Sequence, residues 1–371
     1  MGFRTSLGRV LMTADAVGGV WQYALELADG FSERGIRTVM AVTGPSPSAE
    51  QIRAVGQISG LEVVHEPFRL EWMADADDDI RRAGDWLLRL EKRYRPDLVH
   101  LNGFSAGALP WRAPHLVVAH SCSLSWWSAV RRTSPPGAWS AYSERVSHGL
   151  HGADFVVAPS AAFLAEIERL YGRLSNKQVI WNGRNPAQFQ PAGKEPFVFT
   201  AGRLWDEAKN LGALDAVAPR LPWPVFAAGG MQAPDGDAPR LSHIGHLGTV
   251  TPDQLRDWLS RASIFALPAR YEPFGLAVLE AALSGCALVL GDIPTFRELW
   301  DGAASFVDPE DHDQIERAIK DLAANPLKRD RLADAAAGRA ERYSAERMVG
   351  GYLAAYAALQ DEAVHPALAT G

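Results

Sequence analysis

The sequence predicts an α/β protein built as two similar halves, each a parallel sheet covered by helices. Three observations carry this. Short apolar runs alternate with helical patterns along most of the chain, the signature of parallel strands joined by helical crossovers. The alternation stops over residues 182–195, rich in Gly, Pro and Asn and without periodicity, and then starts again. The chain has 371 residues, a length that suits two domains better than one.

The elements follow in order. Val10-Leu11-Met12 is the first strand, and residues 14–19 are a loop. Residues 20–34 form a helix with Trp21, Leu25 and Ala28 at helical spacing. Residues 39–42 are the next strand, closed by the turn Gly44-Pro45-Ser46-Pro47. Residues 61–64, 98–101, 116–119 and 155–158 read as further strands, and residues 80–94 as a helix. Ser160 is a good N-cap for a helix through Leu170, and Val179-Ile180-Trp181 closes this half. The second half begins with a strand over 197–201. A helix over 211–218, a strand over 225–228, a helix over 252–262, a strand over 264–268, a helix over 275–284 and a strand over 287–290 follow. Ser344 caps a last helix running to about Leu359. Two such halves meet at a cleft, with ligands bound at the C-terminal ends of the strands.

Composition narrows the class. Hydrophobic residues make up 47% and charged residues 22%, as in soluble globular proteins. The net charge of −7 speaks against a nucleic-acid surface. The two cysteines, Cys122 and Cys286, fall in different halves, so no disulfide is expected and cysteine ligation of a metal is excluded by number. No run of about 18 apolar residues exists and the N-terminus lacks a signal-peptide pattern, so a cytoplasmic location is expected. Asp75, Asp77, Asp78 and Asp79 read as a solvated run at a helix start, and no metal site is expected. The 80–94 helix carries Arg81, Arg82, Arg89, Lys92 and Arg93 around Trp86, Leu87, Leu88 and Leu90. Contact with a membrane surface is one reading of it; a surface helix with its apolar face on the core is the plainer one.

The stretch that organises the chain runs from Arg270 to Gly285. Glu272 and Glu280 stand eight residues apart, with Pro273-Phe274-Gly275 and then Leu276-Ala277 between them. A helix starting near Gly275 leaves backbone N–H groups unpaired at a partly positive end, which suits a phosphate. Gly275 lets the backbone approach a ligand closely. At the helical rise per residue the two carboxylates lie about 10 Å apart, enough to bracket a diphosphate. A capped helix with two solvated glutamates is the bland alternative. The loop Ala14-Asp15-Ala16-Val17-Gly18-Gly19-Val20 opens a helix after a strand, but it is not G-x-G-x-x-G, which speaks against a dinucleotide enzyme. Gly202-Arg203-Leu204-Trp205-Asp206-Glu207-Ala208-Lys209 ends the first strand of the second half. Arg203 offers a planar fork and Lys209 a point charge for a leaving diphosphate. His120 ends an apolar strand and should emerge at the ligand edge. Trp126 and Trp127 follow it, and aromatic faces of this kind pack on sugar rings as well as in cores.

The Glu-x7-Glu pattern with its Pro-Phe-Gly-Leu insert resembles the signature of retaining glycosyltransferases of the GT-B fold, family 4 type (glycosyl transferases group 1). The resemblance covers almost the whole chain. It implies two Rossmann-like doubly wound domains facing across a cleft, residues 1–182 as the acceptor domain and 183–344 as the nucleotide-sugar domain. Residues 345–371 would supply a helix crossing back to the first. Asn182-Gly183 with Phe189 resembles the family's segment at the linker. By this resemblance Glu272 holds the transferred sugar, Glu280 the ribose, and the backbone after Gly275 the diphosphate, with Pro273, Phe274, Leu276 and Ala277 also at the donor. Gly202 and Arg203 with Lys209 match the family's Gly-Arg-Leu…Lys motif, with one residue more than usual between Arg and Lys. Gly18 and Gly19 match its Gly-Gly loop beside the donor phosphate. His120 matches the histidine at the donor sugar, and His246-Leu247 the segment that cradles the base. The function implied is metal-independent transfer of a sugar from a nucleotide sugar, such as a UDP- or GDP-sugar, to the hydroxyl of a glycan, lipid-linked or small-molecule acceptor. No other cofactor is implied. A nucleotide-sugar epimerase of the same architecture and a non-catalytic nucleotide-sugar binding module are the alternatives.

Overall fold

The computed structural model describes residues 7–73, 75–232 and 240–364. The outer limits expected for the first domain and for the C-terminal tail, residues 1 and 371, lie outside this range. The first sheet contains β1 (Arg9–Asp15), β2 (Arg37–Thr43), β3 (Leu61–His65), β4 (Leu98–Leu101), β5 (His115–Val118), β6 (Phe155–Ala158) and β7 (Lys177–Val179), in the order β3-β2-β1-β4-β5-β6-β7. The second contains β8 (Glu195–Ala201), β9 (Val225–Ala228), β10 (Gly245–His246), β11 (Ala262–Leu267), β12 (Ala287–Gly291) and β13 (Ser305–Val307), in the order β10-β9-β8-β11-β12-β13. All pairings are parallel; Val10, for example, sits opposite Thr38 on one side and Leu98 on the other. The central strands are buried on both faces, as continuous apolar runs such as Val10-Leu11-Met12 require.

Strand order fixes where ligands go. In the first sheet the chain reverses its winding between β1 and β4; in the second, between β8 and β11. The loops leaving two such strands diverge and open a crevice at the C-terminal edge. Those loops carry Asp15 to Gly19, Asn102 to Phe104, Gly202 to Asn210 and Pro268 to Gly275. The topology alone therefore brings the motif loops of both sheets to switch points.

The last helix, Ala345–Val364, packs on the first sheet's helix Gly19–Ser32. Met348, Val349, Tyr352, Tyr356 and Leu359 join the core built by Val10, Met12, Tyr23, Leu27 and Phe31. A Cβ at Gly30 would come within 2.4 Å of Val349, so the glycine permits the close crossing. The linker is pinned in the same region. The Arg184 N–H donates to Tyr343 O (3.1 Å), and the Ala345 N–H donates to Arg184 O (2.9 Å).

Several helices add to those expected: Ala49–Val55, Ser123–Val130, Ser140–Gly152, Pro294–Trp300, His312–Ala324 and Pro326–Ala340, together with strand β13. The Ser140–Gly152 helix has a packing surface made partly of glycine. A Cβ at Gly149 would sit 1.8 Å from Phe104 O. Expected boundaries move by a few residues: the helix read over 80–94 begins at Asp77, and the one read over 20–34 is Gly19–Ser32. Ser160 caps its helix as expected, accepting from the Phe163 N–H at 3.3 Å.

Candidate active site

The two switch points face each other. Gly18 has φ +108°, a conformation that strains a residue with a side chain, and a Cβ there would lie 3.5 Å from Arg203 Cδ. A Cβ at Gly19 would lie 3.5 Å from Leu276 Cδ1. The first sheet's Gly-Gly loop thus lies against the second sheet's Arg203 and the start of the Leu276–Leu283 helix. Gly275 precedes that helix at φ +93°.

Further contacts lock the halves. Tyr271 OH accepts from the Cys122 N–H (3.1 Å) and bonds Ser125 Oγ (2.8 Å). Ser160 Oγ donates to Pro273 O at 2.7 Å. The Ala161 and Ala162 N–H groups, at a helix start, donate to the Glu298 carboxylate (2.9 and 2.7 Å). Arg131 holds Glu207 through both carboxylate oxygens, at 2.8 and 2.6 Å.

Arg203 and Lys209 each already have a carboxylate partner. Lys209 Nζ pairs with Glu272 Oε2 at 2.5 Å, joining the residues expected at the diphosphate and at the sugar. Arg203 Nη2 pairs with Asp206 Oδ2 at 3.1 Å. Asp206 Oδ1 accepts from Trp126 Nε1–H (2.8 Å) and from the Ala208 N–H (3.0 Å). Burial works to raise the Asp206 carboxyl, but Lys209, Arg203 and these hydrogen bonds outweigh it and hold it below the usual carboxylate range. Asp206 thus pairs with Arg203 and lies within electrostatic reach of Lys209, whose Nζ is held by Glu272. The Asp206 backbone C=O accepts the Lys209 N–H (2.9 Å) as the chain turns through a short 3₁₀ segment, Glu207–Lys209.

His120 belongs to a polar chain at the first switch point. Asn102 Nδ2 donates to Thr13 O (2.7 Å), so Asn102 Oδ1 is an acceptor and His120 Nε2 (2.8 Å) carries the proton toward it. His100 Nε2 lies 3.1 Å from the same oxygen, and His100 Nδ1 contacts Tyr356 OH of the last helix. Burial lowers both histidines to about 3. His120 is therefore neutral with Nδ1 unprotonated, an acceptor for a hydroxyl.

Glu280 is not an open carboxylate. It is buried, and its Oε1 lies 2.9 Å from Arg184 Nε, while Arg184 Nη1 bonds Glu26 of the first half. Burial raises both glutamates, against the pull of Arg184. Arg184 thus ties the ribose candidate to the opposite domain. His246 ends β10, its Nε2 contacts Gly229 O (3.0 Å), and the Leu247 N–H donates to Ala227 O (2.9 Å).

Beside these residues opens a cavity of about 1070 Å³, lined by both halves. Of the expected set, Gly19, His120 and Arg203 line it; Lys209, Glu272, Gly275 and Glu280 lie outside the lining. Sequence reasoning did not single out Asp15, Glu71, Asn102, Arg184 and Asp206. Asp15 and Asp206 lie inside quoted motif loops, so their position carried a signal. Glu71, Asn102 and Arg184 acquire their roles only by long-range contact. Among the described residues no group of His, Cys, Asp or Glu is placed to hold a metal ion, and no helix is long and apolar enough to cross a membrane.

Comparison with known proteins places both halves of the chain. The model of Glycosyltransferase Family 4 matches residues 17–188, and that of Glycosyl transferases group 1 matches residues 183–339. A glycogen synthase of Mycobacterium tuberculosis is 27% identical over 87% of this chain and 86% of its own. A sulfoquinovosyl transferase of Arabidopsis thaliana is 26% identical over 68% of this chain and 54% of its own. Sucrose-phosphate synthase of Thermosynechococcus elongatus superposes with a TM-score of 0.81 at 17% identity, over 95% of this chain and 99% of its own. Anabaena HepE in complex with UDP and glucose superposes with a TM-score of 0.75 at 14% identity, over 95% and 100%. With its two halves matching these two family models in succession and its fold matching these enzymes, the chain belongs to the GT-B glycosyltransferases of family 4 (glycosyl transferases group 1).

Proposed function

We propose that the protein transfers a sugar from a nucleoside-diphosphate sugar to an acceptor hydroxyl, with retention of anomeric configuration and without a metal ion. The observation that carries this is the meeting of Arg203 and Lys209 around Asp206, at the second switch point and against the Gly18–Gly19 loop.

In this reading the bond from the sugar's anomeric carbon to the diphosphate oxygen breaks, and charge builds on that oxygen. Arg203, Lys209 and the backbone N–H groups after Gly275 stabilise it; preorganised donors of this kind are the largest single contribution in many enzymes. To receive a diphosphate, Arg203 and Lys209 exchange Asp206 and Glu272 for phosphate oxygens. Glu272 is thereby released toward the sugar hydroxyls, so donor binding and sugar positioning are linked. The acceptor oxygen bonds to the anomeric carbon from the leaving-group side, and its proton passes to the departing phosphate oxygen. Neutral His120 accepts a hydroxyl of the donor sugar through Nδ1. Glu280, held by Arg184, takes the ribose.

The test is a thermal-shift screen over nucleoside diphosphates and nucleotide sugars, followed by turnover. A ligand at 100 times its Kd adds about 2.7 kcal/mol of stability. Stabilisation by at least one nucleoside diphosphate is expected. Turnover should survive EDTA, and the product should carry the donor's anomeric configuration by NMR. Restoration of an EDTA-abolished activity by Mg²⁺ or Mn²⁺ would overturn the metal-free reading.

A further inference from the structure

The relatives named above do not fix the acceptor, but the first-domain side of the cavity constrains its chemistry. Five acidic residues line this space; Asp85, Asp206 and Glu207 are joined by two held at its first-domain wall, Asp15 from the loop after β1 and Glu71 from the segment before the Asp77–Tyr94 helix. Asp15 and Glu71 are both held by backbone amides. The Val17 N–H donates to Asp15 Oδ1 at 2.7 Å. The Phe104 and Ser105 N–H groups donate to Glu71, at 3.1 Å to Oε1 and 2.9 Å to Oε2. Burial above all, with a smaller push from the Glu71 charge, raises the Asp15 carboxyl to about 6, against the Val17 N–H and Arg203.

The positive charges of the lining each have a partner, and the one that leaves its partner, Arg203, does so for the donor diphosphate. Arg81 pairs with Asp78, Arg131 with Glu207 and Arg203 with Asp206, and Arg69 has a partner as well. Much of the remaining wall is aromatic. Trp127 stands between Trp126 (centroids 6.5 Å apart) and Trp139 (6.2 Å), and Trp139 meets Tyr142 edge-on at 5.5 Å. Trp72 lines the same space.

We infer that the acceptor is an uncharged, polyhydroxylated ring, a neutral sugar or cyclitol, rather than a phosphorylated one. Carboxylates accept hydrogen bonds and have none to give, so they pair with hydroxyl groups and repel phosphate oxygens. Ring faces pack on the indoles. A phosphate on the acceptor would meet Asp15 and Glu71, with Arg203 already given to the donor diphosphate and Arg131 to Glu207. Like-charge juxtaposition of this kind is how a site rejects a wrong ligand.

This inference rests on the reading of the protein as a nucleotide-sugar transferase, and the experiment separates the two. Purified protein is given UDP-glucose or GDP-mannose, and release of nucleoside diphosphate is followed with no acceptor, with myo-inositol or methyl glucoside, and with inositol 1-phosphate or glucose 6-phosphate. The neutral ring should stimulate release at least tenfold more, in kcat/KM, than its phosphorylated counterpart. Asp15→Asn and Glu71→Gln should each cut that preference at least threefold. The ratio is independent of how much of a variant is folded. Preference for the phosphorylated acceptor, stimulation by neither, or an unchanged ratio in both variants overturns the inference alone. No nucleotide release under any condition overturns the underlying reading, and this inference with it.

Discussion

Arg203 and Arg184 use the same guanidinium chemistry in opposite settings. Arg203 is part-exposed, stacked over Trp205 at 5.4 Å and paired with Asp206 at 3.1 Å. It is fixed by residues of its own loop and remains available to a ligand. Arg203→Ala should weaken a nucleoside diphosphate at least tenfold more than the bare nucleoside, since a charge-assisted hydrogen bond contributes about 1.5–3 kcal/mol. Calorimetry on both ligands checks this, and equal losses would contradict it. Arg184 is only 4% exposed and stands between two buried carboxylates. Removing one partner of such a pair leaves uncompensated buried charge, which costs about 3–5 kcal/mol. Arg184→Met should lose that much in urea unfolding, and a loss below about 1 kcal/mol would show that Glu26 and Glu280 do not depend on it.

At the scale of elements, the site is made by loops that leave strands at the two switch points, and its tolerances are set by glycine. Gly18 combines φ +108° with contact to Arg203, whereas Gly350 lies exposed in the last helix with open space around its Cβ position. Gly18→Ala should lower stability and raise the donor KM. Gly350→Ala should raise stability by about 0.5–1 kcal/mol and leave KM unchanged. Thermal melts and initial rates distinguish the two; an equal response would mean that the loop's backbone shape does not matter. The legibility of the sequence follows the same division. Strands buried on both faces, such as Val10-Leu11-Met12 and residues 264–267, announce themselves as apolar runs. The Glu272–Glu280 stretch announces itself because strand end, turn and helix start are consecutive. Helices that pack through small residues, as Ser140–Gly152 does at Gly149, leave a weaker trace. The partnership of Arg184 with Glu26 and Glu280 leaves none, because it joins positions 158 and 96 residues apart.

Across the whole molecule, the polar chain from Tyr356 through His100 and Asn102 to His120 ties the last helix to the cleft. Burial lowers His120 to about 3, whereas the unfolded chain titrates near 6.5. Below pH 6.5 the unfolded state therefore binds the proton that the native state refuses. The contribution of a neutral His120 is present above that pH and is lost as pH falls toward 3. The stability difference between wild type and His120→Gln should shrink by up to about 1.4 kcal/mol per pH unit between pH 6 and 4. A pH-independent difference would mean that His120 is not held neutral. His100 is lowered chiefly by burial and also by His120, so part of the difference between the two proteins passes through it.

The central claim is that the two glutamates flanking the Gly275 turn hold different parts of one donor, Glu272 the moving sugar and Glu280 the stationary ribose. A nucleoside diphosphate contains the ribose and lacks the sugar. Its affinity, measured by calorimetry for Glu272→Gln and Glu280→Gln, tests the assignment most directly. Glu280→Gln should lose roughly 10- to 150-fold, the equivalent of about 1.5–3 kcal/mol, and Glu272→Gln less than about threefold. Equal losses in the two variants, or a larger loss for Glu272→Gln, would contradict the account.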